Sequence, residues 1–107
     1  MPKVRITVLK RTYQADILEQ EIHDEAFKRA FGPCPIFEDG QTFVSEDWPT
    51  KPAGFCERAW PDIRHEVAMV MYEASVPWVA EGSFTITCCN DGLRTVIFKI
   101  ERVEDGE

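Results

Sequence analysis

Apolar and polar residues alternate at the start of the chain. In residues 3–10, Val4, Ile6 and Val8 fall on one face, and Arg5 and Thr7 fall on the other. A period of two is typical of a strand with one buried face, because successive side chains in a strand point in opposite directions. The pattern therefore predicts a half-buried strand at the N-terminus.

Two later stretches have helical spacing. Residues 15–32 predict a short or broken helix that Gly32 and Pro33 end. From residue 59 onward, apolar residues recur every three or four positions, which predicts an amphipathic helix of about 15 to 18 residues. The apolar positions of this second helix are Ala59, Ile63, Val67, Val70, Met71 and Ala74.

The region between these helices, residues 32–56, is rich in proline, and only residues 41–45 in it resemble a strand. Near the C-terminus, two extended runs flank the tripeptide Asn-Asp-Gly, which predicts a hairpin with a tight turn. On one face of this hairpin we expect Val96, Phe98 and Ile100 to meet Phe84, Ile86 and Cys88, with Cys89 on the opposite face.

This order of elements predicts an α+β fold in a single domain of residues 1–107. It consists of a small antiparallel sheet with a C-terminal hairpin, packed against one long amphipathic helix and a shorter N-terminal helix. Residues 103–107 are predicted to form a frayed tail.

The charge of the chain limits its partners. It has 19 acidic and 12 basic residues, for a formal net charge of −7. Such a surface repels polyphosphate backbones and anionic membranes, so we expect neither nucleic acid nor a membrane as a partner. With no secretory or membrane-spanning pattern in the sequence, we expect a cytoplasmic protein. The candidate partners are a small-molecule ligand and a second copy of the chain.

Three of the four cysteines lie in loops or at the ends of predicted elements, outside the apolar stripes. Cys34 stands between two prolines, Cys56 directly precedes the long helix, and Cys89 borders the hairpin turn. In the reducing cytoplasm their sulfurs are thiols, thiolates or metal ligands rather than disulfides. Three thiolates could converge on one soft cation, with Zn²⁺ the first choice and Fe or Cu(I) the alternatives. The spacing matches no common zinc motif, and Cys88 is predicted to fill the core.

Other residues complete the predicted site. A fourth metal ligand could be Asp91, His65, His23 or water, although Asp91 is also explained as a turn residue and both histidines as exposed surface residues. Arg94 is expected to be partly buried and paired with Asp91 or Asp62. Around the cysteines, the pocket is predicted to include Trp60, Arg94 and Cys88.

Four segments of the chain carry a family resemblance: VRITVLKRT, GPCPIFEDGQTF, KPAGFCERAWPDI and CCNDGLRTVIFKIER. Together they resemble a family of small bacterial and archaeal conserved hypothetical proteins with GPCP, GFC and CxDGLR-type motifs. The similarity spans residues 4–102. It implies a compact single domain whose motif cysteines fall on Cys34, Cys56 and Cys89, and it implies no particular activity.

Three functional hypotheses follow. The first is a small metal-binding protein that uses three thiolates. The second is a non-catalytic interaction or dimerisation module with reduced, structural cysteines. The third is an enzyme with a reactive cysteine, for which Cys56 is the candidate nucleophile and His65 the candidate base. Patterns typical of serine hydrolases, phosphate loops and dinucleotide-binding sites do not occur.

Overall fold

In the computed structural model, residues 3–72 and 84–103 are described, and their strands form one four-stranded antiparallel sheet. The strand order across the sheet is β2-β1-β4-β3. This arrangement confirms the predicted α+β fold and its C-terminal hairpin. In chain order the elements are β1 (Lys3–Arg11), α1 (Ala15–Glu21), α2 (Glu25–Ala30), β2 (Thr42–Ser45), α3 (Ala59–Met71), β3 (Phe84–Cys88) and β4 (Val96–Val103).

The two central strands, β1 and β4, contribute the buried side chains of the sheet to the core. Ile6 pairs with Ile100 and Val8 pairs with Phe98 across the antiparallel β1–β4 ladder. Side chains of paired residues lie on the same face of a sheet, and all four of these are fully buried. Helix α3 contributes the other half of the core through its buried residues Ala59, Trp60, Ile63, Val67, Val70 and Met71.

The hairpin has the opposite face parity from the one predicted. Thr85 pairs with Ile100 and is 2% exposed, whereas Ile86 pairs with Lys99 and is 39% exposed. Phe84, Ile86 and Cys88 therefore lie on the face away from Ile100, and Cys88 is an exposed residue rather than core filler. The prediction failed because residues 89–95 form a long connection instead of a tight Asn-Asp-Gly turn, and the connection sets the register.

The predicted N-terminal helix is broken into α1 and α2. Asp24 starts the second of these, because its side chain accepts a hydrogen bond from the Phe27 backbone N–H at 3.1 Å. Helix α3 has 13 residues, and Ala74 of the predicted longer helix lies outside the described residues.

An aromatic cluster anchors the proline-rich segment to the sheet. The Phe37 ring centroid lies 5.3 Å from that of Phe98 and 5.1 Å from that of Phe55. Phe43 contacts both Phe37 and Phe55, with centroids 5.8 and 4.9 Å away. Burial of these rings orders a segment that has little regular structure of its own.

The C-terminal end of β4 is part of the sheet. Val103 pairs with Lys3 and is 8% exposed, so the prediction of fraying is wrong at this residue. Residues 104–107 lie outside the described part of the chain. Among residues 3–72 and 84–103, no helix combines the length and the apolar character needed to cross a bilayer.

Candidate functional site

Three cysteines from distant parts of the chain line one cavity of about 200 Å³, which we call the cysteine cavity. Cys34 comes from the segment after α2, Cys56 from the residues just before α3, and Cys89 from the residue after β3. The rest of the wall consists of Ile36, Phe37, Arg58, Ala59, Asp91, Arg94 and Val96.

The end of β1 holds Cys34 in place. Arg11 donates a hydrogen bond from its Nη1 to the Cys34 carbonyl oxygen at 3.1 Å. The same guanidinium donates from Nε to Asp39 Oδ1 at 3.2 Å, which restrains it from a second direction. Two contacts to one planar group therefore connect the strand to the loop that carries the thiol.

The start of α3 positions Cys56. Its carbonyl oxygen accepts a hydrogen bond from the Trp60 N–H at 3.1 Å, so Cys56 belongs to the turn that leads into the helix. The preceding Phe55 is 3% exposed, and its carbonyl accepts from Lys51 Nζ at 2.8 Å. A buried ring on one side and a helix on the other leave the Cys56 backbone little freedom.

Cys89 is held against β4. Its N–H donates to the Val96 carbonyl at 3.2 Å, and the Val96 N–H donates in return to the Cys89 sulfur at 3.4 Å. The adjacent Cys88 points to the other face of the sheet and is exposed. Partial desolvation, together with the negative charges of Cys89, Asp62 and Glu66, raises the pKa of the Cys88 thiol.

Asp91 organises the connection between β3 and β4. Its Oδ1 accepts from the N–H groups of Leu93 and Arg94 at 3.0 and 2.9 Å, and its backbone carbonyl accepts from the Thr95 hydroxyl. Partial burial opposes its ionisation, but the N–H groups of Arg94 and Leu93 and the Arg94 charge outweigh burial and lower the pKa of Asp91. Asp91 therefore lies in the connection between β3 and β4, as the sequence suggested, although the tight Asn-Asp-Gly turn predicted around it does not form.

Arg94 is partly buried and pairs with Asp91, its Nε lying 3.2 Å from Asp91 Oδ2. Its guanidinium carbon also lies 4.8 Å from the centre of the Phe31 ring, a cation–π contact. Asp62, the other predicted partner, instead accepts a hydrogen bond from the Asn90 N–H at 2.9 Å.

Several predicted site residues lie elsewhere. Trp60 is 5% exposed and part of the core, where its Nε1 donates to the Pro49 carbonyl at 3.1 Å, so it does not wall the cysteine cavity. Cys88 is also absent from the cavity wall. His65 on α3 and His23 between α1 and α2 are both exposed, as expected of surface histidines.

The cavity is not a preformed metal-ligand cluster. In the described part of the chain, no group of three or more His, Cys, Asp or Glu side chains has an arrangement that could hold a metal ion.

Arg58 is a cavity residue that the sequence pattern did not single out. The sequence feature that could have indicated it is its position two residues after Cys56, at the predicted start of the long helix.

No model of a protein family, no curated protein and no solved structure matches the chain. The family resemblance stays a prediction.

Proposed function

We propose that this protein binds a soft metal ion, with Zn²⁺ as the first candidate and Fe or Cu(I) as alternatives. The ligands are the thiolates of Cys34, Cys56 and Cys89. The observation that supports the proposal best is that these three cysteines line one cavity, although 22 and 33 residues separate them along the chain. Thiolate sulfur is a preferred ligand of such ions.

Binding requires a rearrangement of the side chains. Because the described residues contain no preformed metal-ligand group, the thiols have to turn toward a common point as they lose their protons. Arg58 and Arg94 in the cavity wall offset part of the negative charge that three thiolates bring together. The fourth position of a tetrahedral ion would be open to water or a ligand, since Asp91 is already hydrogen-bonded.

A metal titration of the reduced, chelator-treated protein tests this proposal. We expect about one Zn²⁺ or Co²⁺ ion per chain, with the thiolate-to-cobalt absorption of a three-sulfur site. We also expect zinc to protect Cys34, Cys56 and Cys89 from alkylation, as measured by mass spectrometry of peptides. Cys88 should react equally with and without zinc. Because its pKa is raised and the thiolate is the form that is alkylated, the reaction should be run above about pH 8.5, the ordinary pKa of a thiol.

The fourth cysteine supplies a matched control. Each of Cys34→Ser, Cys56→Ser and Cys89→Ser should weaken metal binding, whereas Cys88→Ser should leave the affinity unchanged. Equal affinity in all four variants, or no metal binding by the parent protein, would exclude the proposed site.

The other two hypotheses stay predictions. No described contact favours a reactive Cys56, because His65, the base considered for it, is exposed and is not part of the cavity wall. Dimerisation would be detected during the same titration if the molecular mass in solution were recorded.

A further inference from the structure

We propose that the cysteine cavity also binds small organic carboxylates, which the guanidinium groups of Arg58 and Arg94 hold. The site is the cavity already described, but this second ligand class does not depend on a bound metal. The proposal goes beyond the metal site because it assigns the two cavity arginines a ligand of their own, which they bind directly.

The charge of the cavity wall differs from that of the whole molecule. The chain has a formal net charge of −7, yet the wall carries two arginines and one carboxylate, Asp91. The cavity wall is therefore a local region of excess positive charge. Such a region attracts anions even on an acidic protein.

The carboxylate of Asp91 leaves part of the Arg94 guanidinium free. Asp91 Oδ1 accepts from the N–H groups of Leu93 and Arg94, and Oδ2 accepts from Arg94 Nε. The terminal nitrogens of Arg94 form no hydrogen bond with residues 3–72 or 84–103, while the Phe31 ring and Asp91 fix the guanidinium plane. A fixed guanidinium with free N–H groups suits a planar carboxylate.

Arg58 supplies the second positive charge. It immediately precedes α3, and its side chain has no ion pair or hydrogen bond with the described residues. The neighbouring Glu57 contacts Lys51 instead, with 3.6 Å between Oε1 and Nζ. The charge of Arg58 is thus available to a ligand in the cavity.

The size and the apolar part of the wall restrict the ligand. Ile36, Phe37 and Val96 line the cavity, and cysteine side chains behave as small, largely apolar groups. A volume of about 200 Å³ is below the range of about 300–1,000 Å³ typical of pockets for drug-sized molecules. The matching ligand is a small acid with one carboxylate and a compact apolar body.

Benzoate is a suitable probe of this ligand class. We expect it to shift amide NMR signals of cavity residues in reduced, chelator-treated protein. Benzamide has the same shape without the charge, and inorganic phosphate has charge without an apolar body. Both should bind at least about tenfold more weakly than benzoate, a difference of about 1.4 kcal/mol. Equal binding of benzoate and benzamide, or of benzoate and phosphate, would overturn the proposal.

Arginine variants locate the binding site. Arg58→Gln and Arg94→Gln should each raise the Kd for benzoate at least about tenfold. Arg64→Gln should not change it, because Arg64 is exposed on α3 and outside the cavity wall. If Arg94→Gln destabilises the fold, Arg94→Lys tests the same contact, because lysine keeps the charge but loses the planar donor pair. Unchanged affinity in the arginine variants would contradict the proposal.

The carboxylate and metal proposals can fail separately. Benzoate binding by the metal-free protein supports the carboxylate site whatever the zinc titration gives. If benzoate binds neither the metal-free nor the zinc-treated protein, the carboxylate proposal is wrong. The metal site is tested by the zinc titration alone.

Discussion

At the scale of single residues, Asp91 connects the backbone between β3 and β4 with the wall of the cysteine cavity. Its carboxylate accepts two backbone hydrogen bonds and one from the Arg94 side chain, and it also forms part of the cavity wall. One side chain thus closes the connection between two strands and orients a cationic group. The lowered pKa of Asp91 reflects these contacts, since each of them favours the ionised carboxylate.

Replacement of Asp91 by alanine should lower the free energy of unfolding by about 1–3 kcal/mol at pH 7, because three donors lose a charged acceptor. The loss should shrink at acidic pH. With the folded-state pKa of Asp91 lowered, the stabilisation is present above the ordinary carboxyl pKa of about 4 and is lost as the pH falls through the folded value. Urea denaturation at pH 7 and about pH 3 measures both effects.

Glu21→Ala is the control for this experiment. Glu21 is exposed at the end of α1 and its side chain forms no hydrogen bond or ion pair with the described residues, so its replacement should change stability by less than about 0.5 kcal/mol. Equal destabilisation by Asp91→Ala at both pH values would contradict the assigned role of the ionised carboxylate.

At the scale of elements, aromatic side chains order the segment between α2 and α3. This segment supplies two of the three cavity cysteines but contains only one short strand, β2. The Phe37 ring contacts Phe43, Phe55 and Phe98, and these contacts tie the segment to the sheet. Gly54 adds a backbone turn with a φ of +80°, a conformation that glycine adopts without the steric cost of a side chain.

Phe37→Ala should lower the free energy of unfolding by about 3–5 kcal/mol, because it removes a buried aromatic ring and leaves a cavity. The adjacent Ile36 is 56% exposed, whereas Phe37 is 2% exposed. Ile36→Ala is therefore a matched control with an expected change below about 0.5 kcal/mol. Thermal or urea unfolding of the two variants measures the difference, and similar losses would show that the aromatic cluster does not anchor the segment.

At the scale of the whole molecule, three regions of the chain meet at the cysteine cavity. It connects the proline-rich segment, the start of α3 and the connection between β3 and β4. A ligand that contacts all three regions binds the folded chain better than the unfolded one. Folding stability and ligand binding are therefore linked.

Zinc should accordingly raise the free energy of unfolding in a concentration-dependent way, by about 2.7 kcal/mol when free zinc is about 100 times its Kd. This stabilisation is expected because the unfolded chain does not hold its three thiols together. Thermal unfolding across a zinc series, with chelator to reverse the effect, measures this. The Cys88→Ser variant should respond like the parent protein, and a similar response from Cys56→Ser would contradict the linkage.

Much of the fold could be predicted because its signals are local. The alternation at Val4, Ile6 and Val8 and the helical spacing from Ala59 to Met71 are properties of neighbouring residues, and both were confirmed. The faces of β3 could not be predicted in the same way. Register depends on pairing with β4 across a seven-residue connection, and the face of every side chain reverses when the register shifts by one.

The sequence by itself determined the order of strands and helices, and it placed Cys34, Cys56 and Cys89 in loops or next to the ends of elements. Only the tertiary structure decided that these thiols share a cavity with Arg58 and Arg94, and that Cys88 and Trp60 stay outside it. The physical reason is the distance along the chain between the residues that interact. Periodicity reflects contacts within a few residues, whereas a cavity depends on how buried rings and strand pairing bring distant segments together.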